Sequence, residues 1–331
     1  MIALYHDKRI AVSDAANFGR VAVMYGGFSS ERQVSLRTGK SVLGALIARG
    51  VDAYGWDTAK HTLAELAGEN FDRVWIALHG AGGEDGAIQG ALQWLKIPYT
   101  GSGVLSSALA MDKIGSKQIF TAAGIPTPNY VVINERTDAG YAEAELGFPM
   151  IIKPAQQGSS VGIDVVAKTE DLKGAIETAL SFGKPALAEK YVTGFESTVA
   201  VLQGEALASI RIETPRKFYD YSAKYESEQT QYYCPGVDDP ILERVYQDNA
   251  LSAFSALGCS GWGRVDFMTG SDGLPQIIEI NTVPGMTTSS LVPMAAKARD
   301  INFAELCWRV LETSLSANQI SLNEGVSANA P

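Results

Sequence analysis

Cysteine and histidine are scarce in this chain, with three of each in 331 residues. Cys234, Cys259 and Cys307 are odd in number, far apart and without metal-ligand spacing, which excludes a disulfide framework and a thiolate metal centre and leaves reduced thiols. Long apolar runs are missing as well. None approaches the roughly 18 residues a membrane-crossing helix needs, and no basic start followed by an apolar stretch opens the chain, so a cytoplasmic protein is expected. Positive charge is not in excess. A total of 27 Lys and Arg against 37 Asp and Glu gives −10, which argues against a general nucleic-acid binder while leaving room for a local basic channel for phosphates. Two nucleotide-binding signatures are absent too: Gly26-Gly27 lacks the spaced third glycine of a dinucleotide-binding turn, and Lys153 precedes its glycines, so there is no Walker loop. What remains is ordinary globular composition in a length that suits two or three domains.

The most informative segment is 262–281, which reads as two alternating strands folded about Asp272-Gly273. Asp-Gly between alternating apolar runs signals a hairpin with a type I′ turn, because both central positions need positive φ. A two-residue turn sets Asp266 opposite Glu279 and Arg264 opposite Asn281, with Val265, Phe267, Ile278 and Ile280 on the other face. The polar face then holds two carboxylates about 5 Å apart at Cβ. Like charges that close repel. A hard divalent cation, taking oxygen ligands from both acids and from substrate phosphates, would reverse the cost. A solvated acidic face on an edge hairpin is the alternative.

Residues 1–19 carry no clear period and read as an extension. Residues 21–25 form a continuous apolar strand ending in Gly26-Gly27; Ser30 and Gln33 then make a capping-box pattern before a helix that stops at Gly50. A second strand at 74–78 enters the loop from His79 to Gly86 and a helix through Leu92 and Leu95. Strand, glycine loop and helix in repetition predict a parallel sheet with ligands beyond its C-terminal strand ends. Asp112 can cap a helix ending at Gly124, and strands follow at 150–153 and 186–192. Short strands, a tyrosine-rich stretch, an amphipathic helix at 242–257, the hairpin, a loop at 282–290 and a last helix through Leu306 and Leu311 complete the chain.

Lys153 closes an apolar strand and runs into a glycine–serine loop through Gly162, able to turn N–H groups toward an anion beside the ammonium; a flexible surface turn has the same composition. Segment 186–192, followed by Glu196, reads as an exposed strand whose backbone can pair with an adenine edge, or as an ordinary edge strand with a charged end. Glu31 alone reads as a helix N-terminal acid favoured by the dipole. His79 alone reads as either a core hydrogen-bonding group or a ligand contact.

In order along the chain, these blocks resemble the ATP-grasp superfamily and, within it, the D-alanine:D-alanine ligase family. The likeness rests on Gly26-Gly27 through Leu36, His79 through Gly86, Tyr99 to Gly103, Met111-Asp112-Lys113, Gly158 through Gly162, Phe218 to Tyr225, and Glu279 through Thr287. It implies a three-domain ATP-grasp fold, α/β with an N-terminal parallel-sheet domain and α+β in the ATP-binding part. The implied divisions are an extension 1–19, an N-terminal substrate domain 20–112, a central subdomain 113–195, a C-terminal subdomain 196–315 with a mobile lid at 214–236, and a flexible tail 316–331. The implied activity is ATP-driven joining of two D-alanines for peptidoglycan precursors, through a D-alanyl phosphate and a tetrahedral intermediate.

The resemblance also implies roles. Asp266, Glu279 and Asn281 would hold two Mg²⁺ or Mn²⁺ ions, with any monovalent-cation dependence left open. Lys113, Lys153 and Lys224 would contact phosphates, Ser159 would join the ATP site, and Glu189, Lys190, Val192 and Glu196 would hold adenosine. Arg264 and the Gly285 N–H would face the oxyanion. Glu31 would take the first ammonium with His79 nearby, and Ser290 with the Leu291 amide would take the second carboxylate. Tyr225 and Ser159 would form a hydrogen-bonded group with Glu31, and Tyr225 favours the dipeptide over D-alanyl-D-lactate. A homodimer is implied as well. Val283 departs from the serine or leucine common in relatives. The competing readings are another ATP-grasp carboxylate–amine ligase, which would lack Glu31, Tyr225 and Ser290, and a non-catalytic nucleotide-binding protein, which would lack metal ligands.

Overall fold

A computed structural model describes residues 9–158, 161–214 and 229–315. Strand β1 (Arg20–Tyr25) is buried on both faces, Val21 through Met24 having no exposed surface, as the interior of a parallel sheet requires. Helix α1 (Arg32–Ala48) follows, then β2 (Asp52–Asp57), α2 (Leu63–Gly68), β3 (Arg73–Ile76), α3 (Ala87–Trp94) and α4 (Val104–Met111). The sheet runs β2-β1-β3, all parallel, as the strand–loop–helix repetition predicts. Strand β2 left no sign in the sequence, because only Trp56 and Asp57 in it are buried. The capping box expected at Ser30 and Gln33 does not form. Glu31 takes the N-cap position without a side-chain capping bond, while Ser29 Oγ accepts from the Glu31 N–H (3.2 Å) and donates to the His79 carbonyl (2.7 Å). A tertiary partner on the next loop thus replaces the local motif.

Asp112 caps α5 (Lys113–Ala122) by accepting from the N–H groups of Ile114 and Gly115, as expected. Then come β4 (Tyr130–Ile133), α6 (Ala139–Leu146), β5 (Met150–Pro154), β6 (Asp164–Val166), α7 (Thr169–Ser181) and β7 (Ala186–Lys190), forming an antiparallel sheet in the order β4-β7-β5-β6. Strand β7 is therefore interior, and Ala186 through Glu189 are buried, which corrects the reading of 186–192 as an exposed or edge strand. Alternation sets Ala186 and Ala188 in the core that α6 and α7 share, while Leu187 packs on Ile114 of α5. Glu189 consequently points to the α5 side, among lysines.

The third sheet is built from β8 (Phe195–Leu202), β9 (Glu205–Glu213), β10 (Gln231–Tyr233), β11 (Trp262–Thr269) and β12 (Pro275–Asn281), ordered β10-β9-β8-β11-β12. Helix α8 (Pro240–Ala256) covers one face, and α9 (Leu291–Lys297) and α10 (Phe303–Glu312) follow the hairpin. Of the expected lid, Gln231–Tyr233 form the edge strand β10, and residues 215–228 lie outside the described ones. Trp262 at the start of β11 packs on Trp75 of β3 at 5.4 Å between rings, both fully buried, which fixes the hairpin against the parallel sheet. Losing either ring would cost about 3–5 kcal/mol.

One expectation about the hairpin is corrected. The β11–β12 turn is not a two-residue type I′ turn: residues 270–274 connect the strands, and of the central pair only Gly273 has positive φ, at 77°. A bulge then pairs Phe267 with Ile277 instead of Ile278, so Ile277 enters the core and Ile278 is half-buried. The one-residue register shift set by the longer turn and the bulge cancel, and Asp266 still faces Glu279 with Arg264 facing Asn281. The segment 9–19, part of the expected extension, is anchored on the last helix. Arg9 donates to buried Glu312 (2.7 and 3.0 Å), as does the Val12 N–H (3.0 Å), and Phe18 is buried edge-on to Trp308. Among the described residues no helix is long and apolar enough to cross a membrane.

Candidate functional site

The hairpin delivers its acids to one place. Asp266 on β11 is 7% exposed, and Arg264, two residues away on the same face, grips both its oxygens from Nε and Nη2 at 2.7 Å. Thr198 Oγ1 on neighbouring β8 donates to Asp266 Oδ1 (2.7 Å), and Asn281 Nδ2 donates to Oδ2 (2.8 Å). Across the ladder, Glu279 pairs with Lys113 Nζ at the start of α5 (3.1 Å), and that ammonium also donates to the Gln157 carbonyl (2.8 Å). Two negative and two positive side chains thus balance. Among the described residues no group of three or more His, Cys, Asp or Glu could hold a metal. The donor set fits a hard cation nonetheless: two carboxylates and the Asn281 carboxamide are all oxygen ligands, and Asn281 commits only its nitrogen to Asp266. With local charge already balanced, a divalent ion is best accommodated when it arrives with an anionic partner such as a triphosphate.

Beside the hairpin lies a cavity of about 80 Å³ whose walls include Glu31, Glu84, Lys113, Arg264, Glu279 and Gly285. Glu31 enters from the N-terminus of α1. Its Oε2 would stand 2.7 Å from a Cβ at position 80, where φ is +70°, so the backbone approaches the carboxylate as only glycine permits. Burial lifts the Glu84 carboxyl above the ordinary carboxylate range, the His79 ring opposes the lift and Glu31 adds to it. Two acids beside one small cavity can receive a single ammonium. His79, which also lines this cavity, is buried with both ring nitrogens engaged, Nε2 with Thr38 Oγ1 (2.9 Å) and Nδ1 with the Val283 carbonyl (2.8 Å). Ser290 sits at the N-cap of α9, where its Oγ accepts from the Thr287 N–H (3.0 Å), and Leu291 is the first residue of that helix.

A second cleft, about 440 Å³, separates the middle and third sheets and is lined by Glu189, Lys190, Val192, Glu196, Met268 and Ile278. The bulge has turned Ile278 out of the core and into this wall. The Lys190 N–H is committed to the Asn129 carbonyl (2.8 Å). Glu189, 2% exposed, sits between Lys117 (2.6 Å) and Lys153. Burial alone would raise its pKa, but Lys153 and Lys117 together hold it below the ordinary value. Burial pushes Lys117 down to about 8, with Glu189 pulling the other way. The predicted residues Ser159, Lys224 and Tyr225 lie outside the described residues.

Three residues escaped the sequence reading. Lys117 lies one turn after Lys113 on α5 and could have been found by the i, i+4 spacing. Glu84 sits inside the recognised block His79 to Gly86, which assigned it no role. Thr198 left no signal, because its partner Asp266 is on another strand.

Comparison with known proteins meets this geometry. Family models described as the D-ala D-ala ligase N-terminus and C-terminus match residues 56–102 and 119–312. A D-alanine–D-alanine ligase from Methylococcus capsulatus is 48% identical over 310 residues, covering 94% of this chain and all of that relative. One from Alkalilimnicola ehrlichii is 51% identical over 297 residues, covering 90% and 95%. The crystal structure of the Bacillus anthracis D-alanine–D-alanine ligase complexed with ATP superposes with a TM-score of 0.80 at 34% identity, covering 91% of this chain and 99% of that one. With both family models matched in order and relatives about half identical along almost their whole length, the chain belongs to the D-alanine–D-alanine ligase family.

Proposed function

We propose that this chain joins two D-alanines to D-alanyl-D-alanine with ATP as the driving reactant, supplying the dipeptide for peptidoglycan synthesis, and that the hairpin face is its reaction centre. The observation that carries the assignment of the centre is the convergence of Glu279, Asn281, Arg264 and Lys113 on a cavity that Glu31 also lines, with Asp266 bound to Arg264 and Asn281 beside it. The first D-alanine is held by its ammonium at Glu31, and its carboxylate attacks the γ-phosphorus, breaking the bond to the β-phosphate oxygen and releasing ADP, to give an acyl phosphate. The amine of the second D-alanine adds to the acyl carbon, and the tetrahedral intermediate collapses with loss of phosphate. Arg264 and the Gly285 N–H stabilise its oxyanion; losing one such donor typically lowers the rate by about 10²–10³.

Lys113 and Lys153, with Lys224, neutralise the phosphates, and the Glu189–Glu196 cleft takes adenosine. Asp266, Glu279 and Asn281 hold Mg²⁺ or Mn²⁺, which when bound offsets the charge of the triphosphate. Ser290 and the Leu291 amide orient the second carboxylate, and Ser159 and Tyr225 complete the first subsite. The domain divisions given above are part of the same proposal, as is a homodimer, for which light scattering at twice the chain mass is the check.

The purified protein with ATP, Mg²⁺ and D-alanine is expected to release phosphate and form dipeptide, with L-alanine or D-lactate giving little. Phosphate release indifferent to D-alanine would overturn the substrate assignment.

A further inference from the structure

The loop that leaves β12 is held at two points by buried side chains on other elements. Val283 and Met286 bracket Pro284 and Gly285. His79 Nδ1 lies 2.8 Å from the Val283 carbonyl oxygen, His79 Nε2 lies 2.9 Å from Thr38 Oγ1, and the Met286 N–H reaches Thr38 Oγ1 at 3.4 Å. A carbonyl only accepts, so Nδ1 carries the ring proton. In a neutral imidazole Nε2 then accepts, the Thr38 hydroxyl donates to it, and the same oxygen is free to accept from Met286. Donors and acceptors match one to one. The circuit runs from the Met286 N–H through Thr38 and His79 to the Val283 carbonyl, and closes on the loop where it began. Thr38 and Met286 have no exposed surface and Val283 has 3%, so water does not compete for these bonds. Glu84 Oε1, 3.6 Å from Nδ1, is beyond hydrogen-bond distance.

We propose that Thr38, acting through His79, is a positioning residue that fixes the Gly285 amide in the orientation the reaction needs. Proline restricts φ at 284, but glycine at 285 has the widest conformational freedom of any residue, so the direction of its N–H must be set from outside. The circuit supplies that restraint on both sides of it, and leaves neither nitrogen of His79 free for the first ammonium. This inference rests on the oxyanion role given to Gly285 above.

Thr38→Val preserves shape and removes both functions of the hydroxyl; Thr38→Ser preserves them. In Thr38→Val kcat should fall by about tenfold or more while KM for ATP and D-alanine stays within about twofold, and Thr38→Ser should keep most of the wild-type rate. A dipeptide phosphinate, whose tetrahedral phosphorus imitates the intermediate, should lose affinity in Thr38→Val by a factor similar to the loss in kcat. Unchanged kcat, a loss confined to KM, or equal loss in the serine variant overturns the proposal. Tight wild-type phosphinate binding that Thr38→Val leaves intact overturns the circuit alone; wild-type binding no tighter than that of the dipeptide overturns the Gly285 role beneath it. A measurement without any variant of Thr38 is also decisive. Nitrogen NMR of the unmutated protein should show His79 protonated at Nδ1, its resonance identified by its absence in His79→Gln, and an Nε2-protonated ring contradicts the circuit.

Discussion

Glu279 and Glu189 both face lysines, yet the two carboxylates live in different surroundings. Glu279 has a side chain 29% exposed on the wall of the cavity beside the hairpin, paired with Lys113. Glu189 is sealed at 2% exposure, with Lys117 on one oxygen and Lys153 on the other. At a water-accessible position an ion pair is worth little, so Glu279 can exchange partners when a cation or a phosphate arrives. In a dry position the desolvation cost of one charge is offset only by its partners, and removing a partner exposes that cost. The same acid–lysine chemistry is thus an exchangeable surface in one place and, in the other, a strut in the wall of the second cleft.

The largest effect that tests this contrast is on turnover. Glu279→Gln is expected to lower kcat by at least about 10³ while the melting temperature stays within a few degrees, because the carboxylate is needed for charge and not for packing. Retained activity would remove Glu279 from the metal assignment. Lys117→Met should do the reverse, lowering the free energy of unfolding by about 3 kcal/mol in denaturant titrations while folded molecules keep most of their rate at saturating ATP. A variant as stable as the parent would break the distinction between strut and surface.

A smaller effect is expected at Thr198. Its hydroxyl steadies Asp266, so Thr198→Val should weaken Mg²⁺ affinity by about tenfold in titrations with nucleotide present, with little change in stability. An unchanged affinity would show that Arg264 and Asn281 suffice to orient the acid. The last effect is in pH. Lys117 is depressed by burial to about 8 from an ordinary 10.5, so between these values the unfolded chain binds more protons than the folded one. Its contribution therefore makes stability rise with pH across that window, by at most about 1.4 kcal/mol per unit, and Lys117→Met lacks that slope. Parallel pH profiles for the two proteins from 8 to 10 would mean that Lys117 titrates normally.

Much of the centre was legible because alternation is local. Asp266 and Glu279 were expected opposite one another and are, although the turn between them has five residues and a bulge restores the pairing. Neither could be seen from Asp272-Gly273, since turn length and bulge are chosen together by packing of Phe267 and Ile277 on α8. The capping box at Ser30 was plausible locally and lost to the bond between Ser29 and the His79 carbonyl. Residues 9–19 showed no period because their anchors, Glu312 and Trp308, are at the other end of the chain.

The order of the strongly patterned elements, the family and the placing of the two acids on one face were determined by the sequence alone, since period, turn residues and motif order are properties of neighbours in the chain. Which acid is sealed and which is open, and which partner each side chain of the Thr38–His79 circuit finds, only the tertiary structure decided. Desolvation and hydrogen-bond partnership depend on atoms brought in from other elements, and no local pattern encodes them.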